Sequence, residues 1–259
     1  MIELLQLEQG SLSQVRYLNA RRGGGTDTAR LELTRARVRG LPEGLEALVA
    51  ASDLQGIVPD PETGEARLLG EPVAEALEAL ALDGVLPSTT RTGVVLAGDL
   101  YSVPEANRRG GHGDVRPVWA AFAERFAFVV GVAGNHDDVS AVRGPNVHLL
   151  DTQVKTLAGL RFGGVGLIAG NPAKPGRRAE VDQLARVALV ASEGVDFLVL
   201  HEGPAGGERQ VGHPGLTELV VEHAVPLTVC GHAHWAEPLW RHTRGQVLNV
   251  DARVVVLTA

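Results

Sequence analysis

The run Ala127-Phe128-Val129-Val130-Gly131-Val132-Ala133 is apolar and then breaks into Gly134-Asn135-His136-Asp137. A short apolar run closed by a glycine suits a strand covered on both faces. The residues after it carry an amide, an imidazole and a carboxylate, all groups that bind metals or move protons. The same arrangement recurs along the chain. Asp53 and Gln55 follow the run from Leu45 to Ala51, and Gly98-Asp99 follows Val94 to Ala97. His201 follows Val195 to Leu200, and Gly231-His232-Ala233-His234 follows Val225 to Cys230. In an open α/β sheet, ligands bind outside the carboxyl ends of the strands. Polar clusters at those ends are therefore expected to converge on one centre.

Working outward, helical periodicity fills the gaps between several of these runs. Val73, Leu77 and Leu80 share one face, Val118, Phe122 and Phe126 another, and Val181, Leu184 and Ala188 a third. A further strand is expected over Val165 to Ala169. Two more are expected in Val247 to Leu257, around Asp251-Ala252-Arg253. Strands alternating with helices predict an α/β architecture. Residues 1–44 read differently. Arg21-Arg22-Gly23-Gly24-Gly25 is a turn signal, and Arg30-Leu31-Glu32-Leu33-Thr34-Arg35 alternates as a strand does. The expected organisation is a hairpin-like N-terminal extension over 1–44 on a main domain over 45–259.

Composition narrows the function classes. A chain of 259 residues suits one large domain, and 44% hydrophobic with 21% charged residues is ordinary for a globular fold. Aromatics are scarce, so Val, Leu and Ala must fill the core. The net charge of −7 disfavours a nucleic-acid partner, which needs a basic surface. The single cysteine, Cys230, forms no intrachain disulfide and lies in an apolar run, which predicts a buried and inert thiol. The N-terminal residues lack the pattern of a secretory signal, and no apolar run reaches the length of a membrane span, so a cytoplasmic location away from membranes is the expectation.

Carboxylate and amide oxygens mixed with imidazoles suit Mn, Fe, Zn or Co. Taken in order, Asp-x-Gln, Gly-Asp, Gly-Asn-His-Asp, His and Gly-His-x-His resemble the motifs of the calcineurin-like metallophosphoesterase superfamily, from Asp53 to His234. The resemblance implies a four-layer α/β/β/α sandwich with two divalent metal ions, most simply Mn, at the strand ends. Asp99 would bridge the two ions. Asp53 and His234 would hold the first, with Gln55 where the family has histidine. Asn135, His201 and His232 would hold the second. His136 would stay off the metals and act on the leaving group, with Asp137 behind it.

Glutamine at position 55 also resembles a branch of the superfamily that hydrolyses nucleoside-diphosphate compounds with manganese. A neutral amide holds a transition metal more weakly than imidazole, so a loose first ion is expected. Two cations beside these carboxylates would draw in a phosphate. A hydroxide bridging them would attack phosphorus, and His136 as general acid would protonate the departing oxygen. The function expected is hydrolysis of a small phosphorylated substrate by a phosphodiesterase or pyrophosphatase. The alternatives are a phosphomonoesterase, a nuclease or a non-catalytic interaction scaffold on the same fold. The loop Arg108-Arg109-Gly110-Gly111-His112-Gly113 is a candidate for reaching substrate or, equally, a plain surface loop.

Overall fold

The computed structural model describes residues 1–21, 23–108 and 110–259, so Arg22 of the glycine-rich turn and Arg109 of the 108–113 loop lie outside the described residues. The chain opens with β1 (Glu3–Leu7), β2 (Ser13–Ala20) and β3 (Thr26–Arg39). β2 and β3 pair antiparallel from Ser13 opposite Leu33 to Ala20 opposite Thr26. The next stretch gives β4 (Ala47–Ser52), β5 (Ile57–Pro59), β6 (Ala66–Leu68), α1 (Gly70–Leu82) and β7 (Thr92–Leu96). It continues through β8 (Gly113–Asp114), α2 (Arg116–Ala123), β9 (Phe128–Gly131), β10 (Asp137–Asp138) and β11 (Val147–Leu149). The second half carries β12 (Gln153–Leu157), β13 (Leu160–Val165), β14 (Ile168–Ala169), β15 (Arg177–Arg178), α3 (Glu180–Ser192) and β16 (Phe197–Glu202). It closes with α4 (Pro214–Glu222), β17 (Leu227–Gly231), β18 (Leu239–His242), β19 (Gly245–Asn249) and β20 (Arg253–Thr258).

Two sheets dominate. The larger runs β11-β9-β7-β4-β20-β3-β2-β5-β6 with β1 on β3, and the smaller runs β12-β13-β16-β17-β19-β18. β4, β7, β9 and β11 are parallel, as are β13, β16, β17 and β19. Their apolar runs are continuous because both faces are covered. Along β4 the period-2 alternation sends Leu48 and Ala50 between the sheets, while Ala47, Val49 and Ala51 face α1 and α2. The inter-sheet layer joins Val95, Phe128 and Val130 to Phe162, Phe197, Val199 and Val229. On the far side of the smaller sheet, Leu198 and Leu200 pack with Val187 and Val190 of α3 and Leu216 and Val220 of α4. The result is the expected order of layers, α/β/β/α.

Residues 1–44 join this core. β3 pairs parallel with β20 inside the larger sheet, and Ile2, Leu4, Ala36 and Val38 lie in the inter-sheet layer. Gln246 of β19 fixes β1 from the other sheet, donating to the Leu4 carbonyl and accepting from the Leu4 amide. The 13–39 hairpin ends close to the main domain as well, where Thr26 Oγ1 donates to the carbonyl of Ala106 at 3.2 Å.

Two expectations need correction. The run Val165 to Ala169 is divided: the sheet strand lies earlier, as β13 over Leu160–Val165, and only the two-residue β14, Ile168–Ala169, falls beyond it. Gly163 and Gly164 broke the apolar pattern, yet glycine is what this strand needs. A Cβ at Gly163 would meet Val190 at 2.4 Å, and one at Gly164 would meet Leu150 at 2.7 Å. The buried face of α3 is Gln183, Val187, Val190 and Ala191, and Val181 is 78% exposed. The periodicity slipped because the amide of Gln183 turns inward to the carbonyl of Gly166 and to Arg178, a partnered polar group that a hydrophobicity count reads as surface.

Cys230 is fully buried beside Gly203, and burial raises its thiol far above the usual range. A thiolate is needed for reaction with disulfides. Ellman's reagent is therefore expected to modify Cys230 no faster than the native protein opens. Rapid stoichiometric labelling without denaturant would contradict this packing.

Candidate metal centre

The parallel registers align the carboxyl ends of the strands. Ala51 stands opposite Leu96, and Leu96 opposite Gly131, so the chain leaves β4, β7 and β9 at one level. The loops then lock together: the Asp53 amide donates to the Gly98 carbonyl at 2.9 Å, and the His136 amide donates to Asp99 Oδ1 at 2.9 Å. From the smaller sheet, the His232 amide donates to Asp53 Oδ2 at 2.9 Å.

The motif glycines follow from this crowding. A Cβ on Gly134 would fall 2.1 Å from the Asp99 amide and from its Oδ1, and one on Gly231 would fall 2.1 Å from Ser52 Oγ. Gly98, Asp53, Asp99 and His232 all adopt positive φ, at 91°, 54°, 54° and 67°. For a non-glycine residue this costs on the order of 1–3 kcal/mol, and such strain collects where the surroundings fix a functional geometry. Here it turns each strand end sharply and aims the side chain back across the sheet edges.

Asp99, His201 and His232 offer ligand atoms that all lie within 4.8 Å of one another. Buried His201 donates from Nδ1 to the Ala97 carbonyl at 2.8 Å, which points Nε2 at Asn135 Oδ1, 3.0 Å away, and at Asp99 Oδ1, 3.4 Å away. On the opposite side of the Asp99 carboxylate, Gln55 Nε2 lies 3.3 Å from Oδ2. Asp53 accepts from Ser52 Oγ at 2.7 Å. His234 is largely exposed, and its Nδ1 donates to Asp251 Oδ2 at 2.9 Å.

His136 stands at the rim with Nε2 3.8 Å from Asp99 Oδ2 and Nδ1 donating to the Gly111 carbonyl. This departs from the expectation that Asp137 backs His136. The Asp137 carboxylate is turned inward, where it accepts from the amides of Gly134 at 2.9 Å, Leu100 at 2.8 Å and Tyr101 at 3.2 Å. It ties the Gly134-Asn135-His136 turn to the strand end after β7. Three unpaired amides at a tight turn are better satisfied by a carboxylate than left unbonded, and sequence adjacency to His136 concealed that role. Asp251 was not singled out from sequence. Its signal was the same as for the others, an acidic residue just beyond an apolar run, but a two-strand reading of 247–257 absorbed it as a turn.

Two hollows flank Gln55. One of about 160 Å³ is lined by Tyr17, Asn19, Asp53, Gln55, Asp251 and Ala252. A smaller one is lined by Asn19, Ala20, Gln55, Tyr101 and Arg108, among others. Asn19 of β2 borders both, so the N-terminal strands wall this edge of the centre.

The electrostatics test the donor set. Burial, with Asp251 and Asp99 nearby, pushes the Asp53 carboxyl up to about 8, against a smaller opposing pull from His201. Burial alone would lower His201, but Asp99 and Asp53 hold it up to about 10, while Asp99 itself stays below the usual carboxylate range beside that imidazolium. Burial and the His201 charge drive His232 down to about 4. Acids are thus gathered faster than protein cations can neutralise them, with oxygens and imidazoles converging around them. That donor set fits divalent cations.

A pH dependence follows. Asp53 and His201 both have folded pKa values above their unfolded values, so each contributes stability that is present at low pH and lost as pH rises through the folded pKa. His232 is depressed and acts only below about 6.5, its ordinary value. Between pH 7 and 10 the metal-free protein is therefore expected to lose thermal stability. Mn²⁺, which binds the deprotonated ligands, is expected to flatten that loss. Melting curves across this range with EDTA and with Mn²⁺ check it, and a flat metal-free profile would refute it.

The sequence profile of the calcineurin-like phosphoesterases matches residues 48–236, well over half of the chain. No curated protein matches it. Among solved structures, TT1561 of Thermus thermophilus aligns at a TM-score of 0.53 and 18% identity, covering 82% of this chain and 88% of its own. A second solved structure aligns at the same TM-score with 11% identity, covering 80% of this chain and 90% of its own. At such identities the likeness is one of fold. With the profile match, it places the chain in the calcineurin-like phosphoesterase family of metal-dependent phosphoric ester hydrolases.

Proposed function

We propose that this protein is a binuclear phosphodiesterase or pyrophosphatase acting on a small, nucleotide-derived substrate, with Mn as the preferred metal. The observation that carries this reading is the position of Asp99. One carboxylate oxygen faces His201, near Asn135 and His232, and the other accepts from Gln55 Nε2, so the Gln55 amide would turn its Oε1 toward a bound cation. A carboxylate with potential ligands beside each of its oxygens is suited to bridging two cations. In this reading Asp53, Gln55, Asp99 and His234 hold the first, and Asp99, Asn135, His201 and His232 hold the second. The chemistry such cations supply when bound is Lewis acidity, which withdraws charge from phosphoryl oxygens and makes water nucleophilic near neutral pH.

The protein's own groups do the rest. His201 and Asn135 orient each other, and the Ala97 carbonyl fixes the His201 tautomer so that Nε2 faces inward. Asp137 holds the turn that carries Asn135 and His136. The Gly111 carbonyl selects the His136 tautomer with Nδ1 protonated, so any further proton the ring takes up goes to Nε2, the atom that faces the centre. From there it is positioned to reach the oxygen of a departing alcohol or phosphate. The walls contributed by Asn19, Tyr101 and Arg108 support a small substrate, with an anionic group near Arg108.

His136→Ala is expected to lower kcat on bis-p-nitrophenyl phosphate or a nucleoside-diphosphate ester by about 10²- to 10⁴-fold, with Mn²⁺ binding and melting temperature unchanged. Full activity in that variant would remove His136 from the reaction. Asn19→Ala is expected to raise KM for a nucleoside-diphosphate ester while leaving kcat close to that of the wild type. An unchanged KM would remove the N-terminal strands from substrate recognition.

A further inference from the structure

The turn between β19 and β20 is tied to the centre more thoroughly than a plain connection requires. Asn249 Nδ2 donates to the Ala233 carbonyl at 2.8 Å, which fixes the His232-Ala233-His234 loop. The same amide group accepts the Asp251 amide at 3.1 Å through Oδ1. Arg253 donates to the carbonyls of both Asp251 and Trp235. Asp251 bridges to Ser52, the residue before Asp53. These bonds hold the Asp251 carboxylate, 13% exposed, against Nδ1 of a His234 ring that is otherwise in solvent. Asp251, Asp53 and Gln55 face one hollow of about 160 Å³.

A largely exposed histidine has many rotamers and two tautomers. A carboxylate on Nδ1 selects the tautomer that leaves Nε2 unprotonated, holds the ring and raises its basicity. The first metal position also carries a neutral amide, Gln55, in place of an imidazole. We propose that Asp251 is the positioning residue of the first metal position, holding the His234 ring by Nδ1 so that Nε2 is left free to coordinate, at a position where Gln55 offers only a weakly binding amide oxygen. This rests on the binuclear reading above. Asp251 touches His234 and acts through it.

The test is Mn²⁺ uptake by the metal-free full-length protein, followed by the electron paramagnetic resonance signal of free Mn²⁺. The samples are the wild type, Asp251→Asn, Asp251→Ala and Asp251→Ala with Gln55→His. The wild type is expected to take up two ions, the weaker at the first position. In Asp251→Ala the weaker ion should lose about 10- to 100-fold in affinity while the stronger is unchanged. Asp251→Asn keeps an acceptor oxygen and loses the charge, so it should fall between the two. Adding Gln55→His to Asp251→Ala should recover affinity by restoring an imidazole. Nitrogen-proton correlation spectra of the metal-free wild type should show His234 protonated on Nδ1, a preference that Asp251→Ala loses.

Two isotherms in both single variants indistinguishable from the wild type would overturn the assignment of Asp251 and leave the binuclear centre standing. A wild type that takes up no Mn²⁺ would overturn the centre and this inference with it. If Asp251→Ala does not fold, the isosteric Asp251→Asn decides by the same comparison.

Discussion

The packing of two sheets face to face, with the carboxyl ends of their central strands at one edge, is the constraint on which the rest of this molecule depends. β4, β7 and β9 bring Asp53, Asp99 and Asn135 from one sheet, and β16 and β17 bring His201 and His232 from the other. Phe128 of the larger sheet packs edge-on against Phe162 of the smaller one, and Phe162 stacks on its neighbour Phe197, all in the layer between the sheets. Burial there is worth roughly 25 cal/mol per Å² of apolar surface. It sets the separation across which a carboxylate from one sheet meets an imidazole from the other.

Convergence has a cost that the loops absorb. A carboxyl buried away from water, with other acids beside it, resists ionising, and Asp53 rises to about 8 as a result. Backbone bent to positive φ at Asp53, Asp99 and His232 adds strain. The offsetting contacts are local and specific: amides of His136 and His232 on the two carboxylates, and Asp137 under the turn after β9. Gly98, Gly134 and Gly231 make those contacts possible, because any side chain on Gly134 or Gly231 would collide with Asp99, Ser52 or Asp53. The glycines in the motifs are thus steric requirements of a centre assembled where several strand ends and their loops cross.

The N-terminal strands illustrate how a segment outside the motifs acquires a place in the site. Residues 1–44 complete the larger sheet through β3 and contribute Ile2, Leu4, Ala36 and Val38 to the layer between the sheets. Once β2 is paired to β3, Asn19 arrives beside Gln55 at the mouth of the centre. On the other side of that mouth, Gly111 meets the His136 ring. The electrostatics, the walls and the histidine at the rim are therefore set by different parts of the chain that only the fold brings into register.

The sequence by itself determined an α/β architecture and the residues that gather at its strand ends. Apolar runs of strand length with helical stretches between them pointed to alternating strands and helices, and the four-layer order was implied by the resemblance of the motifs. Ligand-type side chains directly after those runs had to sit at the carboxyl ends, since chain direction within a parallel sheet is common to all its strands. Tertiary structure alone decided what each side chain meets. Asp137 follows His136 in sequence but points to the amides of Gly134 and Leu100, while the His136 ring pairs with Gly111, twenty-five residues earlier. Asp251 reaches His234 because Asn249 and Arg253 hold two loops together. Gln183 is buried because its partners are supplied by another turn. Hydrophobic periodicity records which face is apolar. It carries no record of which distant carbonyl or amide will satisfy a polar group, and at this centre those pairings set the chemistry.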